Sequence, residues 1–234
     1  MASSDAPRGS GILRHEARER GWEPAAVGDP DTHEAIERHI EHHFGPVDHV
    51  LHEIASELVH LDVHLVRPTE ERPWLTLVTS GMSDLPMTVP AGADVSPYAE
   101  LTMSLPADWP LGSAPLGDDS TYWPVRLLKA VARLPHEYDT WLGEWHSVPN
   151  GDPAQPYAPD VPFAGVVVTQ MLHCRSSART IVTDGGKKIS LLALVPLHPA
   201  EVTLKLTRGT DALIEALDRA GVSERLDPAR PSTV

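Results

Sequence analysis

The sequence predicts an α+β fold: a mixed, mainly antiparallel sheet with helices packed on one side. Three observations carry that reading. Val59, Leu61, Val63 and Leu65 alternate with His60, Asp62 and His64, the two-residue period of a strand with one apolar and one polar face. Asp184-Gly185-Gly186-Lys187 joins two apolar, β-branched runs and signals a tight antiparallel hairpin. The helical patterns stand alone among hairpins and long loops, without the strict strand–helix alternation that builds a parallel sheet.

The elements follow in order. Residues 1–29, rich in Ser, Gly, Pro and charge, read as a flexible N-terminal arm with room for a helical turn near Ile12 to Arg20. Residues 30–234 read as a single domain. Asp31 or Thr32 caps a first helix, with Glu34 in its first turn. Ile36, Ile40 and Phe44 form its apolar stripe, and Gly45-Pro46 stops it. Residues 47–58 carry two readings: a helical period in Val47, Val50, Leu51, Ile54 and Leu58, or a strand paired with the next segment. The alternating strand ends at Arg67-Pro68, residues 74–80 form a second strand, and residues 98–105 a third, closed by Pro106.

Ser120-Thr121 supplies a hydroxyl cap for a helix with Pro124 in its first turn, where the missing N–H costs nothing. Val125, Leu128, Val131 and Ala132 form its apolar face; Pro135 interrupts it, leaving a short second helix toward Leu142. Pro149-Asn150-Gly151-Asp152-Pro153 is a turn-rich loop, and residues 163–173 form a buried strand. Residues 179–183 and 188–196 are the two arms of the hairpin. Residues 199–206 and 210–220 close the chain as helices, with Gly221 just past the second.

The 234 residues can bury a sizeable core, and the 23 prolines point to many ordered loops. The formal net charge of −14 disfavours nucleic acid and anionic membranes and suits a basic protein partner. No apolar run approaches the roughly 20 residues that span a bilayer. The N-terminus lacks the basic head and apolar stretch of a signal peptide. Cys174 stands alone and has no internal disulfide partner, so a cytoplasmic protein is expected.

No catalytic set assembles from the motifs. His60, Asp62 and His64 share one strand face, with His39, His42 and His43 on the first helix as a source of a third ligand. This cluster carries the alternative reading, a metal-dependent hydrolase. His52-Glu53 is followed by Ile54-Ala55-Ser56, so the second histidine of a zinc-protease helix is absent. Cys174 and its neighbour His173 point to opposite faces of a strand. Asp118-Asp119 complements a helix N-terminus. There is no Gly-x-Ser-x-Gly elbow and no phosphate-cradling glycine loop. Neither a cofactor nor a resident metal is expected.

The segment that stands out is Ser80-Gly81-Met82-Ser83-Asp84-Leu85, at the exit of the second strand. Gly81 permits a positive φ and Asp84 can fold back onto backbone N–H groups. A purely local turn accounts for it; its neighbours along the chain give it wider meaning. Leu75-Thr76-Leu77-Val78-Thr79-Ser80-Gly81-Met82-Ser83-Asp84-Leu85-Pro86-Met87 is followed by Ala99-Glu100-Leu101-Thr102-Met103-Ser104-Leu105-Pro106, then by Trp123-Pro124 opening a helix. His146, Leu191-Leu192-Ala193-Leu194-Val195-Pro196-Leu197, Glu201 and the tail Leu226-Asp227-Pro228-Ala229-Arg230 complete the order.

This ordered set, over roughly residues 45–232, resembles the Suppressor of fused family in its short, single-domain bacterial form. The resemblance implies a Suppressor-of-fused-like domain that binds protein and turns nothing over. Animal members clasp an extended peptide of a transcription factor against sheet edges between two domains, and this chain resembles only the N-terminal one. Similar bacterial domains are proposed as immunity proteins against secreted toxins, and an acidic chain suits a basic toxin domain. The expected mechanism is strand addition at an exposed edge. The expected contact surface is Ser80, Gly81, Met82, Ser83, Asp84 and Leu85, rimmed by Trp109 and the loop at 149–153, with Glu100 and Glu201 as acidic contacts or structural ion-pair residues.

Overall fold

β-Branched and leucine-rich runs bounded by Gly and Pro make the strands, and capped amphipathic segments make the helices. The computed structural model describes residues 24–53, 56–111 and 118–234. Its order is α1 (Pro30–His43), β1 (Val47–Leu51), β2 (Asp62–Val66), β3 (Trp74–Ser80), β4 (Ala99–Pro106), α2 (Asp119–Glu137), β5 (Ser147–Pro149), β6 (Gly165–Gln170), β7 (Thr180–Val182), β8 (Lys188–Leu197), α3 (Pro199–Arg208) and α4 (Thr210–Arg219). Eight strands form one sheet in the order β1-β2-β3-β4-β8-β6-β5, with β7 beside β8. Among the described strands only β4 and β8 pair in parallel; the other strand pairs are antiparallel. The α+β class and the mainly antiparallel sheet are those expected from the sequence.

The helices do not gather on one side. Leu75, Leu77, Leu101, Met103, Leu192 and Leu194 meet Trp123, Leu128 and Val131 of α2 on one face. Val78, Ile189, Leu191 and Ala193 meet Ala35, Ile36 and Ile40 of α1 on the other. Val167, Val195 and Leu197 extend that second face under Val202 of α3 and Leu213 of α4. A strand sends alternate side chains to opposite faces, so apolar residues at both parities, as in β8, require cover on both.

Several boundaries differ from the sequence reading. The α1 cap is Asp29, whose carboxylate accepts from Asp31 N, and Pro30 takes the first helical position. The cap of α2 is likewise an acid, Asp118, accepting from Ser120 N; Pro124 therefore lies beyond the first turn. Pro135 does not interrupt α2, which runs to Glu137. A proline inside a helix costs about 3 kcal/mol. Here Pro135 is buried with Val131 and Ala132 on the same face, and that burial offsets the cost.

The ambiguous stretch resolves into strand β1, with Val50 opposite His64 and Leu51 opposite Val63. Residues 24–29, the end of the expected arm, are attached: Pro24 bridges Glu57 and Ala26 N donates to Leu58 O at 2.8 Å. The turn expected near Ile12 to Arg20 falls outside the described residues.

Candidate functional site

The exit of β3 is a buried junction. Gly81 has φ +104°, and a Cβ there would lie 1.8 Å from the carbonyl oxygen of His60, so only glycine fits. Glu100 in β4, 0 % exposed, points its carboxylate into the turn. Its Oε1 accepts from Gly81 N (3.1 Å), Ser83 N (2.9 Å) and Ser83 Oγ (2.7 Å), and its Oε2 meets Thr79 Oγ1 at 2.5 Å. Burial pushes the Glu100 carboxyl above the usual glutamate range, although the hydrogen bonds from Thr79 and Ser83 pull the other way.

Three further elements close on the same turn. His33 of α1 reaches Asp84 at 3.0 Å, and this bond raises the histidine above its ordinary pKa. His136 of α2 donates from Nε2 to Met82 O at 2.9 Å; burial lowers its pKa and keeps the ring neutral. Lys187, in the β7–β8 turn, donates to Ser83 O at 2.6 Å.

The expected contact surface is therefore mostly interior. Ser80, Gly81, Met82 and Ser83 are buried, the Asp84 side chain is 1 % exposed, and Leu85 is half-buried. Strand addition at this point has no edge to use, because β3 already pairs with β2 on one side and β4 on the other. Glu100 and Glu201 are internal ties. Glu201 accepts from both guanidinium nitrogens of Arg230 at 2.6 Å, from His198 N at 2.8 Å and from Thr233 N at 3.0 Å. It fastens the C-terminal tail to α3. Burial pushes its carboxyl up, but Arg230 and the two N–H groups more than reverse this and hold it below the usual range.

The accessible binding geometry lies at the sheet margins. The outer edge of β1 pairs with no strand among the described residues. Beside it runs a groove of ≈ 520 Å³. Leu51, Leu65, Leu75, Trp109 and Leu111 line it together with Asp108 and the ion pair of Asp48 with Arg67. Trp109, half-buried like Leu85, is held by its indole N–H on Thr121 O at 2.9 Å and by edge-to-face packing on Trp123. At the opposite margin, β5 and the loop after it border a smaller cavity of ≈ 250 Å³ lined by Trp123, Leu134, Val148 and Tyr157. Trp109 lies in the groove beside β1, while Pro149 and Asn150 line the smaller cavity; Trp123, which packs against Trp109, lines that cavity as well.

The histidine cluster is also rearranged. His64 is buried and bonds Ser80 Oγ at 2.9 Å, apart from His60 and Asp62. His52, from the end of β1, takes its place: one ligand atom from each of His52, His60 and Asp62 lies within 4.8 Å of the others. Cys174 is half-buried with its thiol directed to Met171 O at 3.6 Å, and His173 pairs instead with Glu224 at 3.1 Å. Among the described residues, no helix is long and apolar enough to cross a membrane.

The described residues thus show a buried polar junction at the exit of β3 and a sheet whose end strands are β1 and β5. The sequence profile of the Suppressor of fused protein (SUFU) family matches residues 57–231, more than half of the chain. The protein belongs to the Suppressor of fused family. The fold is shared with a SUFU homolog from Neisseria gonorrhoeae at 16% identity and a TM-score of 0.60, covering 87% of this chain and 95% of that one. A chain from the Sufu–Fu complex superposes with a TM-score of 0.58 at 13% identity, covering 91% of this chain and 93% of that one. No curated protein matches the sequence.

Proposed function

We propose that this protein is a non-catalytic binding domain that takes up an extended segment of a partner protein along the free edge of β1. One observation carries the reading: an edge strand unpaired among the described residues adjoins a groove lined by leucines, Trp109 and two aspartates. Backbone groups on the open edge supply the affinity of an added strand, and the groove beside it selects side chains. The Sufu–Fu complex, whose similar chain was crystallised with a protein partner, supports the same class of function.

The partner is a basic protein, since the formal charge of −14 and the aspartates at the groove favour one. A secreted toxin domain neutralised in the cytoplasm is the kind of partner this describes, which makes an immunity role the specific form of the proposal. Ser80–Leu85 and Glu100 serve it indirectly, by fixing β3 and hence the strands beside it.

The experiment is affinity capture with the wild-type chain, a charge-reversed variant (Asp48→Lys with Asp108→Lys) and an edge-blocked variant (His49→Pro). Asp48 pairs with Arg67 only in a solvent-exposed ion pair, a class worth about 0–1 kcal/mol, so the fold survives its reversal. A basic protein retained by the wild type and lost from both variants is the expected result. Retention that neither variant disturbs, or a folded wild type that retains nothing, would overturn the reading.

A further inference from the structure

We infer that His52, His60 and Asp62 form a binding site for a first-row divalent cation of the Zn²⁺ class, at the point where β1 ends and β2 begins. The argument begins with Ser56. Its hydroxyl donates to Glu53 Oε2 at 2.7 Å and lies 2.8 Å from His60 Nδ1. A hydroxyl has one proton. With that proton on Glu53, Ser56 accepts from His60 Nδ1–H, and the lone pair of His60 is on Nε2.

His60 Nε2 faces Asp62 Oδ1 at 3.3 Å. A proton on Nε2 or a cation between the two atoms reconciles that distance, and Asp62 Oδ1 also accepts from Glu53 N at 3.3 Å. His52 Nδ1 approaches the other carboxylate oxygen at 2.9 Å. Among the described residues, the ion-pair partners of Asp62 are these two histidines. The nearby Arg133 is committed to Glu53 at 2.7 Å, and Lys129 to Leu51 O at 3.0 Å.

The 2.9 and 3.3 Å separations reach different oxygens of Asp62, and one ligand atom from each residue lies within 4.8 Å of the others, an opening that side-chain rotation would close around a cation. Tetrahedral zinc with bonds of 2.0–2.2 Å places its ligand atoms roughly 3.3 Å apart. Two imidazoles and a carboxylate are the ligand types such an ion takes, and three protein ligands leave a coordination position for water or a partner's side chain.

The surroundings are those of a built site. A metal-bound histidine normally donates its second ring N–H to a polar group that is itself anchored. The chain His60–Ser56–Glu53–Arg133 does this, and Glu53 is fixed again by Leu61 N at 3.2 Å. A cation held here would tie the end of the edge strand to its neighbour β2.

The test uses the untagged full chain, stripped by chelator and titrated with Zn²⁺ by calorimetry and with Co²⁺ by visible absorption. The chain has 13 histidines, so a variant with His39, His42 and His43 all changed to Gln serves as control. The expected result is one Zn²⁺ per chain and the intense visible bands of four-coordinate Co²⁺. His52→Ala and His60→Ala should each weaken binding about tenfold or more, Ser56→Ala by about 10- to 100-fold, and the control not at all. Should His60→Ala fail to fold, the 68 % exposed His52 carries the test. Zn²⁺ binding unchanged by His52→Ala, or no binding by the folded wild type, would overturn the assignment.

Discussion

Replacing Glu100 separates two ways in which a buried carboxyl can hold a turn. The side chain is 0 % exposed and meets two backbone N–H groups, at Gly81 and Ser83, and two hydroxyls, on Thr79 and Ser83. Glu100→Ala strands both N–H groups. A buried donor left unpaired costs about 1–3 kcal/mol, so two give about 2–6 kcal/mol, a large part of the 5–15 kcal/mol typical of a whole domain. The hydroxyls can rotate to other acceptors and add little.

Glu100→Gln should behave differently. Gln Oε1 keeps the three bonds made by Glu100 Oε1, and Gln Nε2 donates to Thr79 Oγ1, as a protonated carboxyl would. Because burial raises the folded-state pKa of Glu100, the native state holds its proton at pH values where the unfolded chain has released it. The contribution is full below the ordinary glutamate pKa of about 4.3 and is lost as pH rises through the folded value, with a slope of up to about 1.4 kcal/mol per pH unit. The variant lacks this slope.

Urea unfolding followed by tryptophan fluorescence, between pH 4 and pH 9, reads both effects. Glu100→Gln should fall within about 1 kcal/mol of wild type near neutral pH, and the difference between the two should move in the variant's favour as pH rises. A Gln variant as damaged as the Ala variant at every pH would refute the reasoning, because it would show that the turn depends on the anion.

Gly81→Ala should be among the most damaging single changes. The positive φ alone costs about 1–2 kcal/mol for an L-residue, and the contact with His60 O forces backbone movement in addition. Gly92→Ala is the control, since Gly92 has φ +87° with nothing within 4 Å, and the gap between the two urea midpoints isolates the clash. Equal midpoints would show that β2 and β3 separate without strain. Arg230→Ala should cost about 3–5 kcal/mol by leaving Glu201 buried and unpaired. Because the folded-state pKa of Glu201 is lowered, its contribution is present above the ordinary glutamate range and lost as pH falls through the lowered value. A Tm profile between pH 2 and pH 7 should therefore fall in acid for the wild type and be flatter for the variant; parallel profiles would contradict the assignment.

The parts of the fold legible in the sequence are those with local causes. Residues 74–80 were bounded correctly because a β-branched run ends against a glycine. The β7–β8 hairpin followed from Asp184-Gly185-Gly186-Lys187 in the same way. Residues 47–51 were not decidable, since Val47, Val50 and Leu51 satisfy a helical period and a strand equally, and pairing with β2 settled the matter. Pro135 misled because its cost is local and its compensation, burial on α2, is tertiary.

The two-sided packing did leave a trace: Leu191 to Val195 is apolar without alternation, as a strand covered on both faces must be. Glu100 left one too, a lone acid in an otherwise uncharged strand. His33 meets Asp84 across 51 positions, and His52 meets Asp62 across the β1–β2 pairing. Neither contact has a signature in linear spacing, so the metal-site reading chose His64 where the register supplies His52.

The segment most conspicuous in the sequence is thus mostly buried, and the reason is physical. A turn that must satisfy a buried carboxyl group, a buried imidazole, a lysine and a left-handed glycine at once tolerates few residue types, so it draws attention to itself. An edge strand that receives a partner faces no such constraint: β1 has exposed Asp48 and His49 and only half-buried Val47, Val50 and Leu51. Its sequence is free to follow the partner. The rigid junction transmits its order outward through β3 to β2, which pairs at Val63–Thr79 and Leu65–Leu77, and from β2 to β1 at His49–Leu65 and Leu51–Val63. Three strands in fixed register turn a marginal five-residue edge into a template of defined pitch. A partner segment docking there meets backbone groups already in place, so less ordering entropy opposes binding than at a free loop. If the proposed docking on β1 holds, loosening the junction should weaken partner capture although the junction itself is buried.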